Sequence, residues 1–199
     1  MAPSYCIELS DAERNFLLQI ARQSLHTGLQ RGEPAAVTLH GLAEALTAPR
    51  GVFVTLTQQG RLRGCIGSME ASEPLVSSVA ESAYNAAFKD PRFPQLAAQE
   101  LDTTQVEISI LSPMEPVPAS SRHELLSSLR PTLDGVLIQD RHYRSTFLPK
   151  VWEQLPDPET FLDHLLSKAG LPTTHWSTSM QCFRYHTVTF CEQSQVKIA

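Results

Sequence analysis

The sequence contains no G-x-x-x-x-G-K-[ST] or G-x-G-x-x-G loop, no G-x-S-x-G elbow and no C-x-x-C pair. Each of these carries a known chemistry, so the common nucleotide-binding, hydrolase and dithiol motifs are absent, and no motif names a cofactor. Cysteine is sparse. The four residues Cys6, Cys65, Cys182 and Cys191 fall far below the density of a small disulfide scaffold, so the thiols are expected to be reduced. The seven histidines show no H-x-x-x-H or H-x-H spacing, and a structural zinc site is not expected. Basic surplus is lacking as well. With 16 Lys+Arg against 21 Asp+Glu the net charge is -5, which disfavours nucleic acid as a partner. No run approaches the roughly 18 apolar residues of a membrane span, and the opening MAPSYCIELSDAERN has no basic stretch followed by an apolar one. A cytoplasmic location without membrane contact is the expectation.

What is present is an ordinary globular balance, 42% hydrophobic and 19% charged. At roughly 150 residues per domain, 199 residues predict a single domain. Ser10 and Glu13 have capping-box spacing, and Phe16, Leu17, Ile20, Ala21, Ser24 and Leu25 recur at helical intervals until Gly28. From Val52 to Thr57 the period becomes that of a strand. Gln59-Gly60-Arg61 reads as a turn and Leu62 to Ser68 as its hairpin partner. Pro74 opens a second helix that runs to about Phe88, and Asp90-Pro91-Arg92-Phe93-Pro94 forces an extended turn. Val106, Ile108 and Ile110 alternate as a strand, which prolines 113, 116 and 118 should end. Then follow a short helix over His123 to Leu129, a strand over Gly135 to Gln139 and its hairpin partner over His142 to Phe147. A helix from Glu159 to Ala169 stops at Gly170, and Gln181 to Cys191 alternates as a closing strand. This order predicts an α+β protein with a mainly antiparallel sheet flanked by helices.

The most unusual stretch is Leu62-Arg63-Gly64-Cys65-Ile66-Gly67, which puts two glycines inside a strand. With a strand period of 2, Arg63, Cys65 and Gly67 share one face, over a surface that Gly67 leaves open. A cation beside a thiol favours the reactive thiolate, so Cys65 is a candidate nucleophile. A small buried hydrophobe in a strand is the competing reading. Asp90 and Arg92 flank a proline on a rigid loop, suited to a polar substrate or to an internal ion pair. Glu107 alternates away from its strand's apolar face, as a base in a cleft or a solvated carboxylate would. Thr146 offers a hydroxyl in the apolar run Thr146-Phe147-Leu148-Pro149, either packed or lining a site.

The stretch LRGCIG, followed by a helix and then AAFKDPRFPQL, resembles the AMMECR1 family. VEISILSP, DGVLIQD, TFLPKVWEQLPDPETFLDHLLSKAGL and the closing strand follow in the family's order, so the likeness covers most of residues 10 to 191. The chain looks like the protein A of a bacterial AmmeMemoRadiSam system. The resemblance implies an α+β fold of a larger and a smaller subdomain with LRGCIG beside the cleft between them. It also implies a Memo-like protein and a radical SAM protein as partners. Carried over by position, the family motif falls on Arg63, Gly64, Cys65 and Gly67, the DPRFP loop on Asp90, Arg92 and Phe93, and the TFLP stretch on Thr146 to Pro149. Some members read His-Gly where this chain has Asp134-Gly135, and a glycine-rich turn where it has Arg141-His142-Tyr143. The family carries no settled reaction.

Two functions follow as expectations. One is an enzyme whose cleft uses Cys65 on a small polar or anionic substrate, with Arg63, Gly64, Gly67, Asp90, Arg92 and Thr146 as binding residues and no metal. The other is a non-catalytic module that binds a ligand or a protein through the same cleft.

Overall fold

The computed structural model describes residues 8–192, so Cys6 lies outside the described part. Two compact units emerge: residues 8–111 together with 188–192, and Ser112–Thr187. Both units are α+β, and the strand pairs defined in them are antiparallel.

The first unit begins with α1 (Asp11–Arg31). Its N-terminus is the expected capping box, in which Ser10 Oγ accepts from Glu13 N at 3.3 Å and the Glu13 carboxylate accepts from Ser10 N at 2.8 Å. The helix runs a turn beyond the expected stop at Gly28 and ends on Gly32, whose φ of 73° supplies the left-handed cap. Gly28 is instead a packing residue. A Cβ there would lie 2.2 Å from the Phe88 ring. A short α2 (Glu44–Thr47), not foreseen, leads to the hairpin β1 (Val52–Gln58) and β2 (Arg61–Ser68), and then to α3 (Leu75–Phe88). A 3-10 turn, Ala98–Thr103, precedes β3 (Thr104–Leu111), and the last strand, β8 (Thr187–Cys191), completes a sheet of order β2-β1-β3-β8.

One face of this sheet is apolar because Val52, Val54 and Leu56 alternate on β1 and Val106, Ile108 and Ile110 on β3. Leu17, Ala21 and Leu25 of α1 and Leu75, Val76, Val79 and Ala83 of α3 join them in one core, each almost fully buried. Burying each of the larger side chains contributes about 1.5–3 kcal/mol.

The second unit consists of β4 (Glu115–Val117), α4 (Arg122–Ser128), β5 (Gly135–Asp140), β6 (Tyr143–Phe147), a 3-10 turn Pro149–Glu153, α5 (Pro158–Lys168) and β7 (Gln181–Tyr185), with sheet order β4-β7-β5-β6. β4 contains Pro116, which was expected to end a strand. It is tolerated because β4 lies at the edge of its sheet, with β7 as its one neighbour among the described residues. The expected closing strand is broken at His186 into β7 and β8, which belong to different sheets. Around Leu125, Phe161, Leu162, Leu165 and Leu166 the core closes on Trp152, which stacks on Phe161 at 3.7 Å and donates its indole N–H to Asp134 O at 2.8 Å.

Asp140, at the end of β5, ties the loop after α5 to this sheet. Its carboxylate accepts from Ser179 Oγ at 2.5 Å, His175 Nε2 at 2.6 Å and Ser177 Oγ at 2.8 Å. The Ser179 hydroxyl first, then His175 and Ser177, hold its pKa down at about 2. A depressed carboxylate stabilises the fold above its unfolded pKa, near 4, and loses that contribution as pH falls toward the folded value. Asp140→Asn is therefore expected to melt below the parent at pH 7, with the gap closing between about pH 4 and pH 2 in thermal unfolding followed by circular dichroism. A gap that stayed constant across that range would remove the carboxylate's charge from the explanation.

Candidate functional site

The hairpin register decides what Cys65 faces. Gln58 pairs with Arg61 and Thr57 with Leu62, but Leu56 pairs with Gly64, Thr55 with Cys65, Val54 with Ile66 and Phe53 with Gly67. Arg63 is the extra residue of a β-bulge. Without the bulge Cys65 would pair with Val54 on the core face. With it, Cys65 lies opposite Thr55 on the other face, along with Gly67, Phe53 and Thr57.

The expected shared face of Arg63 and Cys65 is therefore corrected. The bulge takes Arg63 out of the alternation, and its side chain is only 9% exposed. Nε and Nη2 of Arg63 each donate to the Glu100 carboxylate at 2.9 Å, and Nη2 also reaches Gln95 O at 3.3 Å. This bidentate guanidinium holds the Glu100 carboxyl down at about 2, against the effect of burial. Nη1 of Arg63 is buried without a hydrogen-bond partner among the described residues.

The open surface expected over Gly67 is also corrected. A Cβ at Gly67 would lie 2.1 Å from Val52 O and 2.5 Å from Phe53 Cα, so the close approach there is made by β1 itself. Gly64 has a similar origin on the core side. A Cβ at that position would lie 2.1 Å from Ala86 O in α3.

Cys65 is held through its backbone. β2 is an edge strand, and both backbone polar groups of Cys65 turn outward from β1. Cys65 N donates to Asp90 Oδ2 at 2.9 Å, and Cys65 O accepts from Arg92 Nη2 at 3.1 Å. The loop thus supplies the acceptor and donor that a neighbouring strand would, and shields the edge. Asp90, with its side chain 1% exposed, also accepts from Arg92 N at 3.1 Å, Nε at 2.9 Å and Nη2 at 2.7 Å. These bonds to Arg92 outweigh burial and hold the Asp90 carboxyl well below the usual carboxylate range. Arg92 is raised in turn, by Asp90 first and by the proximity of Cys65 in the same sense. Its side chain remains 53% exposed. The cation beside the thiol is Arg92.

The half-buried Cys65 sulfur accepts a hydrogen bond from Thr55 Oγ1 at 3.2 Å. On the far side of Thr55, its partner in β3 is Glu107, so a thiol, a hydroxyl and a carboxylate occupy one row across three strands. Thr55 was not singled out from sequence. Its signal was there only in the hairpin register, and the bulge conceals it.

Thr146 belongs to the second unit. On β6 its hydroxyl lies 2.8 Å from Val136 O and 2.7 Å from the Tyr185 hydroxyl, whose pKa is pushed up to about 12 by burial. The same unit buries Asp134 between Arg130, at 2.7 Å, and His186, at 3.2 Å. Among the described residues no group of three His, Cys, Asp or Glu side chains could hold a metal ion, and no helix is long and apolar enough to cross a membrane.

Comparison with known proteins bears on all of this chain's elements. The AMMECR1 family model matches residues 18–190. A protein of Methanothermobacter thermautotrophicus is 37% identical over 92% of this chain and 96% of its own length. One from Aeropyrum pernix is 35% identical over 93% of this chain and 81% of its own. The crystal structure of PH0010, an uncharacterized protein from Pyrococcus horikoshii, is similar with a TM-score of 0.82 at 31% identity, covering 89% of this chain and 90% of that one.

Proposed function

The chain belongs to the AMMECR1 family, and from that membership and the geometry around Cys65 we propose that it is a thiol-dependent enzyme acting on a small polar or anionic substrate. Cys65 is the nucleophile, and Arg92, whose guanidinium donates to the Cys65 carbonyl, is the cation that meets the substrate's negative or carbonyl group. Asp90 orients both. Arg63 acts from behind the strand, by anchoring Glu100 and the loop that follows Asp90. The observation that carries this reading is that one buried carboxylate, Asp90, fixes the backbone of Cys65 and the guanidinium of Arg92 together. A reduced thiol of this kind suits the cytoplasm, and Memo-like and radical SAM proteins are the partners in whose presence activity should be sought.

Alkylation of the native full chain by iodoacetamide, mapped by peptide, tests it. Cys65 is expected to react at pH 7 several-fold faster than the exposed Cys191, and Cys182 to stay inert because burial pushes its thiol up to about 11. A Cys65 that reacts only after denaturation would end the catalytic reading.

A second reading, a non-catalytic module binding a ligand or a protein, is favoured by a different observation. A cavity of about 250 Å³ is lined by Gln58, Arg61, Leu62, Arg63 and Thr103, and Nη1 of that Arg63 is buried with no hydrogen-bond partner among the described residues. Under it Cys65→Ser is tolerated, while Arg63→Ala weakens capture of the Memo-like partner.

A further inference from the structure

We infer that Thr55 is the positioning residue of this site, its hydroxyl donating to Cys65 Sγ and stabilising the sulfur as thiolate. The inference rests on the reading of Cys65 as the reactive group and adds to it the side chain that makes that sulfur reactive.

The geometry leaves Thr55 little freedom to do otherwise. Because Cys65 N and O are taken by Asp90 and Arg92, they point away from β1, which makes Thr55 and Cys65 a non-hydrogen-bonded cross-strand pair. Pairs of that kind bring side chains closest, with Cα atoms about 4.5 Å apart. Thr55 is β-branched, so its χ1 is restricted and the hydroxyl is held in place within the strand. A threonine hydroxyl has one hydrogen to give. At 3.2 Å it is given to Sγ, which as a thiolate is purely an acceptor. A donor to the charged form favours that form.

The charged groups around the sulfur come from three directions. Asp90 and Arg92 lie on the loop along the outer edge of β2, and Glu107 lies on β3 beyond Thr55. Arg63, nearest in sequence, is engaged by Glu100. Replacing Thr55 by valine leaves each of these in place and removes only the hydroxyl. Valine is also β-branched and of similar shape, so the strand keeps its side-chain packing.

The experiment is the rate of Cys65 alkylation by iodoacetamide between pH 6 and pH 10 in the full chain, for the parent, Thr55→Val and Thr55→Ser, with Cys65→Ser to assign the peptide. At pH 7 Thr55→Val is expected to react about fivefold more slowly, the worth of one hydrogen bond of ordinary strength. Its half-reactive pH moves upward while its limiting rate at high pH matches the parent, and Thr55→Ser restores the parent profile. A reduction by the same factor at every pH would assign Thr55 to packing and overturn the inference. So would a Thr55→Val profile superimposable on that of a reactive parent, which leaves Cys65 as the nucleophile without Thr55. A parent Cys65 no faster than Cys191 would instead defeat the thiol-dependent reading itself, and the role of Thr55 with it.

Discussion

Gly64→Ala is expected to lower the unfolding free energy by about 3 kcal/mol or more, measured by urea denaturation. Overpacking of a filled core costs about 1–3 kcal/mol where side chains give way. Here the obstacle is backbone. The new methyl would lie 2.1 Å from Ala86 O and 3.0 Å from its carbonyl carbon, so α3 must move away from β2. That movement is opposed on the far side of α3, where Gly28 of α1 lets the Phe88 ring approach and Tyr84 donates to Gly32 O at 2.6 Å. Displacing α3 also opens the contacts of Val76, Val79 and Ala83 in the core. Asp90 follows α3 by two residues, so the same shift draws the carboxylate from Cys65 N. The variant should lose both stability and the distinctive alkylation profile of Cys65. Parent-like unfolding would mean that β2 and α3 are not packed as closely as Gly64 indicates.

The elements most legible in the sequence are those whose information is local. Ser10 and Glu13 announce the start of α1 because both partners of the capping box lie within one turn. The stop was misplaced because Gly28 and Gly32 look alike in a sequence. One provides room for an aromatic ring 60 residues away, and the other provides a positive φ. The hairpin was legible from its turn and its β-branched run, yet its faces were not, since a bulge is one residue of register and leaves no compositional mark. That single residue separates Arg63 from Cys65 and pairs Cys65 with Thr55. The ion pairs that define the site divide in the same way. Asp90 and Arg92 are two residues apart and could be proposed as an internal pair, whereas Arg63 and Glu100 are 37 apart and only the fold joins them. The break at His186 was hidden for another reason: β7 and β8 are separated by one residue, and alternation continues through it although the strands belong to different sheets.

Asp90→Ala is expected to destabilise the protein by about 3 kcal/mol and to abolish the preferential alkylation of Cys65. Removing one partner of a buried ion pair costs about 3–5 kcal/mol when the other charge is stranded. Arg92 is half exposed and can rehydrate, which places the loss at the lower end of that range. The remaining cost comes from Cys65 N, left on a shielded strand edge without an acceptor. Asp90→Asn keeps the shape and one acceptor oxygen but turns an amide toward Arg92, so it should fall between the parent and the alanine variant. The pH dependence separates this site from Asp140. Both carboxyls are depressed, so both stabilise above pH 4 and lose that effect in acid. For Asp140, at about 2, roughly half of the gap between parent and asparagine variant should be gone at pH 3. For Asp90, whose hydrogen bonds from Arg92 hold it lower still, the larger part of the gap should remain at pH 3. Urea unfolding of the parent and both asparagine variants at pH 7, 5 and 3 measures the two curves side by side. An Asp90→Asn gap that closed as early as that of Asp140→Asn would show that Asp90 is not clamped between Arg92 and the Cys65 backbone. The main structural support for the thiol site would then be gone.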